Sequence, residues 1–134
     1  MQEIVATTNR MVLKALVVDD SPVNRAAHVM ALSSLGYAVS TASNGLSGVA
    51  WANETKFDVI TMDVQMPIMN GLDCTRQIRL LEHAEGRRAT IIGVSATDSE
   101  EDCLAAGMDC FLKKPASPMQ LCAMVRTLAD REAV

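Results

Sequence analysis

The sequence predicts an α/β protein in which five parallel strands alternate with five helices. Two observations carry this. Five short apolar runs, Ala15–Val18, Ala38–Thr41, Val59–Met62, Ile91–Val94 and Cys110–Leu112, recur between longer segments of helical periodicity. Each run is apolar on successive residues, the pattern of a strand covered on both faces. Parallel neighbours need long connections, so the alternation implies right-handed βαβ crossovers.

The first strand ends at Asp19-Asp20, and Ser21-Pro22 then caps a helix, with Pro at the position where no amide bond is lost. Gly36 follows that helix, where a left-handed residue is wanted. Asn44 caps the second helix, and Gly71 opens the third, whose Cys74, Ile78 and Leu81 recur at helical spacing. Asp98 or Ser99 caps the fourth, which Gly107 stops. Ser117-Pro118 opens the fifth, with an apolar stripe of Leu121, Met124, Val125 and Leu128. Residues 14–131 read as one domain, 1–13 as an N-terminal tail or linker and 132–134 as a tail.

Composition narrows the function. The chain has 134 residues, enough for one full core, and is 49% hydrophobic but only 3% aromatic. That core must therefore be aliphatic, with nine Met. A formal net charge of −4 argues against nucleic-acid binding, which needs a basic face. No apolar stretch is long enough to span a bilayer, so no membrane contact is expected. Met1-Gln2-Glu3-Ile4 lacks the start of a secretion signal. The four cysteines form no C-x-x-C pair and read as free thiols used as small core residues, which fits a reduced, cytoplasmic setting.

Chemistry gathers at the strand ends. Asp19 and Asp20 follow the first run, Asp63 the third, Ser95 the fourth, and Lys114 stands between Lys113 and Pro115 after the fifth. Open α/β sheets place their ligands at this edge. Taken singly, each residue reads as a cap, a turn former or a solvated side chain. Together they form three carboxylates that repel unless a hard cation sits among them. Mg²⁺ suits that role, with Asp20 and Asp63 as direct ligands, Asp19 holding a metal-bound water and the Gln65 backbone carbonyl as a further ligand. Three aspartates, one lysine and a divalent cation cancel formally, leaving room for a phosphoryl dianion. Asp63 is then the nucleophile that forms an acyl phosphate, while Ser95 and Lys114 contact phosphoryl oxygens.

The segments Val17-Val18-Asp19-Asp20-Ser21-Pro22-Val23-Asn24-Arg25, Met62-Asp63-Val64-Gln65-Met66-Pro67-Ile68-Met69-Asn70-Gly71 and Ala105-Ala106-Gly107-Met108-Asp109 resemble a receiver domain of two-component signalling. Gly36-Tyr37 and Ala42-Ser43-Asn44-Gly45 are most similar to receivers attached to hybrid histidine kinases, and a fragment of such a kinase is the favoured context. The resemblance implies a flavodoxin-like doubly wound sheet with strand order 2-1-3-4-5. It also implies Mg²⁺-dependent phosphorylation of Asp63 by a phosphohistidine, on a histidine kinase or a histidine phosphotransfer protein. Ser95 becomes the switch hydroxyl, Lys114 the switch lysine, and Phe111 the aromatic that rotates inward and repacks the surface of the fourth helix, fifth strand and fifth helix. Lys113 has no such part. Partner docking would use Ser21, Val23, Asn24, Ala27, Pro115 and Ala116, and Gln65 and Thr97 would flank an attacking water.

Departures from the family pattern are Ser rather than Thr at 95, Phe without a hydroxyl at 111, and Asn rather than Asp at 70. Ser95 and Lys114 lie only 19 positions apart, so the fourth helix or the loop before it should be short. Such a domain accepts a phosphoryl group rather than turning over a substrate, and assists only its own phosphorylation and dephosphorylation. The competing readings are a haloacid-dehalogenase-like phosphatase, a flavin module and an interaction module without phosphorylation. The phosphatase would carry its nucleophile in a D-x-D pattern on the first strand. The flavin module would lack carboxylates at the first turn, and the interaction module would usually lack the aspartate or lysine.

Overall fold

The computed structural model describes residues 12–98 and 100–133, with side chains through Leu128. The expected tail therefore lies largely outside the described residues, as does Ser99. Five strands, β1 (Lys14–Val18), β2 (Ala38–Ala42), β3 (Val59–Asp63), β4 (Thr90–Ser95) and β5 (Cys110–Lys113), form one sheet. All pairs are parallel and the order is β2-β1-β3-β4-β5, as expected. Helices α1 (Pro22–Ser34), α2 (Gly45–Glu54), α3 (Gly71–Glu85), α4 (Glu100–Ala106) and α5 (Pro118–Ala133) fill the crossovers.

Strand side chains alternate between two cores. Leu16 and Val18 of β1 face the layer containing Ala52, Cys74, Ile78 and Cys103, from α2, α3 and α4. Ala15 and Val17 face Ala31, Leu32, Leu121 and Val125, from α1 and α5. The runs of β1, β3 and β4 are thus strands buried on both faces, whereas the edge strands β2 and β5 are only partly covered, with Ala38 and Thr41 exposed, contrary to the expectation. The four cysteines form no disulfide, and Cys74 and Cys103 are fully buried. Burial pushes the Cys74 thiol up to about 12, so it behaves as a core residue. Among the described residues no helix is long and apolar enough to cross a membrane.

The caps are made of the residues the sequence offers. Ser21 Oγ accepts from the Asn24 amide at 3.3 Å, and Asn44 Oδ1 from the Ser47 amide at 2.8 Å. Asn70, the departure noted above, is itself the N-cap of α3 and accepts from the Asp73 amide at 2.9 Å. Ser117 and Gln120 close a reciprocal box at the start of α5. Gly36 and Gly107 take φ of 94° and 113°, which a side chain would strain. The short spacing falls in α4, which has 7 residues against 10 to 16 in the other helices.

One polar knot ties the sheet edge remote from the strand ends. Arg79 on α3 donates to Glu82 at 2.6 Å, to the Ala89 carbonyl at 2.7 Å, to the Gly107 carbonyl at 2.8 Å and to Asp109 at 2.9 Å. Glu82 is 2% exposed and also accepts from the Ala89 amide. The knot joins α3, the start of β4 and the turn after α4.

Candidate functional site

Register brings the predicted residues together. Val18 pairs with Met62 and Asp63 with Val94, so Asp19 and Ser95 leave the sheet on either side of Asp63. Two backbone bonds continue past the apolar runs, Val64 amide to Val94 carbonyl at 3.1 Å and Lys114 amide to Ser95 carbonyl at 2.9 Å. The first keeps Asp63 in the strand and fixes its backbone.

Asp63 is 2% exposed, and Lys114 Nζ donates to its Oδ1 at 2.9 Å. The same ammonium lies 4.0 Å from Asp19 Oδ2. Asp19 is buried, and its Oδ1 accepts from the Ser21 amide at 2.8 Å. Asp20 is exposed at the mouth, and each of the three aspartates offers an oxygen within 4.8 Å of the others. Burial raises the Asp63 carboxyl to about 6, with Asp19 adding to the rise and Lys114 opposing it.

These residues fit a magnesium ion. Asp19 Oδ2 is buried without a hydrogen-bond partner, which is costly unless something positive completes it. One lysine against three carboxylates leaves the trio under-neutralised. The donors are all hard oxygens, as Mg²⁺ requires.

Ser95 is fully buried at the end of β4, and its Oγ donates to Asp98 Oδ2 at 2.7 Å. Gln65 Nε2 donates to Thr97 Oγ1 at 2.8 Å and to Asp98 Oδ2 at 2.9 Å. Asp98, one of the two expected caps of the fourth helix, turns its carboxylate to Ser95 and Gln65; the other, Ser99, lies outside the described residues. Phe111 is partly buried and packs against the core layer that contains Cys103 and Met108. Lys113 is exposed.

The suggested docking residues border this edge. Val23 is 78% exposed, so it is not a core residue of α1. Ser21, Asn24, Ala27 and Ala116 are half-buried and Pro115 is exposed, after a cis Lys114–Pro115 bond. Asn24, Lys114, Pro115 and Ala116 line a cavity of about 270 Å³ beside Asp63's lysine. His28, unassigned by sequence, also lines it, 4% exposed, and burial lowers its pKa. A neutral imidazole there does not add to the charge of Lys114.

The family model of the response regulator receiver domain matches residues 15–126. The chain belongs to the response-regulator receiver family. Hybrid signal transduction histidine kinase F of Dictyostelium discoideum is 35% identical over 124 residues, which is 89% of this chain and 11% of that protein. The chain spans about a tenth of the length of the curated relatives it matches. Among solved structures, the receiver domain of sensor histidine kinase PA1611 from Pseudomonas aeruginosa is 35% identical with a TM-score of 0.76. The match covers 87% of this chain and 96% of that one, which holds a magnesium ion in its active-site cleft. The receiver domain of the Arabidopsis thaliana histidine kinase CKI1, complexed with Mg²⁺ and BeF₃⁻, is 32% identical with a TM-score of 0.77. That match covers 88% of this receiver and 90% of the other chain.

Proposed function

We propose that this receiver domain takes a phosphoryl group on Asp63 from a phosphohistidine of a histidine kinase or histidine phosphotransfer protein. The observation that carries the proposal is the buried Asp63 carboxylate held by Lys114 at 2.9 Å, beside a buried Asp19 oxygen that has no hydrogen-bond partner and only a 4.0 Å approach from that lysine. An Asp63 oxygen attacks phosphorus, the P–N bond to the donor histidine breaks, and that bond's electron pair returns to the leaving imidazole. Lys114 stays at the acceptor and counters the charge that arrives with the phosphoryl group. Asp19, Asp20, Asp63 and the Gln65 carbonyl are the residues that would hold Mg²⁺, which supplies charge neutralisation for the incoming phosphoryl oxygens. Ser95 supplies a hydroxyl donor to one such oxygen, and its inward movement frees space beside Phe111, which repacks the α4-β5-α5 face.

Partner docking is assigned to the exposed and half-buried set Ser21, Val23, Asn24, Ala27, Pro115 and Ala116. The domain works as a signalling acceptor that assists its own phosphorylation and dephosphorylation, in the cytoplasm, and as one segment of a longer hybrid kinase.

Phosphotransfer from a panel of phosphorylated histidine phosphotransfer proteins, with Mg²⁺, tests the reading. Wild type should acquire a base-labile, hydroxylamine-sensitive phosphoryl group, and Asp63→Asn should acquire none. Labelling that persists in Asp63→Asn overturns the assignment. So does wild type that stays unlabelled by every donor and by acetyl phosphate.

A further inference from the structure

The Ser95 hydroxyl has one proton, and in this conformation it is already committed. Oγ donates it to Asp98 Oδ2 at 2.7 Å and accepts from the amides of Asp98 at 3.1 Å and Thr97 at 3.3 Å. Both lone pairs and the proton are thus in use. The hydrogen bond to a carboxylate is charge-assisted and stronger than one to a neutral acceptor. For Ser95 to donate to a phosphoryl oxygen on Asp63, it must first give up Asp98.

Asp98 also holds Gln65. Its Oδ2 accepts from Gln65 Nε2 at 2.9 Å, and Gln65 donates in addition to Thr97 at 2.8 Å. Donors from Gln65 and Ser95 keep the Asp98 carboxyl below its ordinary range, so it is ionised at neutral pH. Gln65 follows Asp63 by two residues, and Asp98 precedes α4 by two. One carboxylate therefore connects the loop after β3, the end of β4 and the start of α4.

Building on the phosphoacceptor reading of Asp63, we infer that Asp98 is a positioning residue that latches the Ser95 hydroxyl and the Gln65 amide in the unphosphorylated arrangement. It competes with a phosphoryl oxygen for the Ser95 proton, and its release passes the event to α4. The latch disfavours the phosphorylated arrangement, so removing it should strengthen binding of a phosphoryl mimic.

The test is a trifluoroberyllate titration at saturating Mg²⁺, followed by amide shifts of wild type, Asp98→Ala, Asp98→Asn, Ser95→Ala and the Ser95→Ala/Asp98→Ala pair. Asp98→Ala should bind the mimic roughly five- to tenfold more tightly than wild type. Asp98→Asn, which keeps a neutral acceptor, should fall between them. In the Ser95→Ala background the Asp98 change should give no gain, because the contested proton is absent. Affinity for Mg²⁺ alone should be unchanged in Asp98→Ala, since that carboxylate lies outside the metal trio. A merely structural Asp98 would instead weaken both the mimic and the metal. Unchanged or weaker mimic binding by Asp98→Ala overturns the latch and leaves the phosphoacceptor reading intact. Wild type that fails to bind the mimic with Mg²⁺ overturns both.

Discussion

At the scale of single residues, Asp63 is a carboxylate placed where a carboxylate is uncomfortable. Burial raises its pKa from 3.8 to about 6 despite the lysine at 2.9 Å. The folded chain therefore holds a proton that the unfolded chain has lost between those values. Stability is then greatest below pH 4 on this account and falls as pH rises through about 6. Asp63→Asn removes the penalty without changing shape. Chemical denaturation at pH 7 without divalent cations should find Asp63→Asn more stable than wild type by on the order of 1–3 kcal/mol. The difference should vanish near pH 4 and shrink when Mg²⁺ is added, which stabilises only the carboxylate form.

At the scale of elements, α3 begins against the backbone at the end of β3. A Cβ on Gly71 would run into the Asp63 backbone carbonyl and lie 2.8 Å from Val64 Cα, neither of which can swing away. Gly71→Ala should cost about 1–3 kcal/mol, read by thermal or chemical denaturation, and should shift the Asp63 and Val64 amides in the same protein. The opposite end of α3 carries Arg79 and Glu82. Arg79→Ala strands a carboxylate that is 2% exposed, and unfolding measurements should show a loss of about 3–5 kcal/mol.

These elements also separate what the sequence made legible from what it did not. Asp19, Asp63, Ser95 and Lys114 could be placed at one edge because apolar runs mark strand ends and alternation makes the strands parallel. The strands run one residue further than the runs at Asp63 and Ser95, since backbone bonds do not stop where hydrophobicity does. Glu82 was opaque: between Leu81 and His83 on a helix, a glutamate reads as solvated, and its amide partner comes from the fold of the turn before β4. Asp98 stands three residues after Ser95 and two before α4. An aspartate just before a helical segment reads as a cap, which concealed a carboxylate aimed back at the end of β4.

At the scale of the whole molecule, the sheet divides its tasks between its two rims. The C-terminal rim gathers the aspartates, Ser95 and Lys114, and the opposite rim is tied by the Arg79 knot. α4 runs between them, seven residues and so roughly 10 Å long. Its far end is pinned, because Arg79 grips the Gly107 carbonyl at 2.8 Å and Met108 bonds back to Cys103 at 3.1 Å. Two residues before its near end, Asp98 accepts from both Ser95 and Gln65. Between its ends α4 is held against the core by Cys103, fully buried, and Ala106, 5% exposed. If the proposed latch at Asp98 is released, the grip of Arg79 on Gly107 is the contact that would keep the far end of α4 in place.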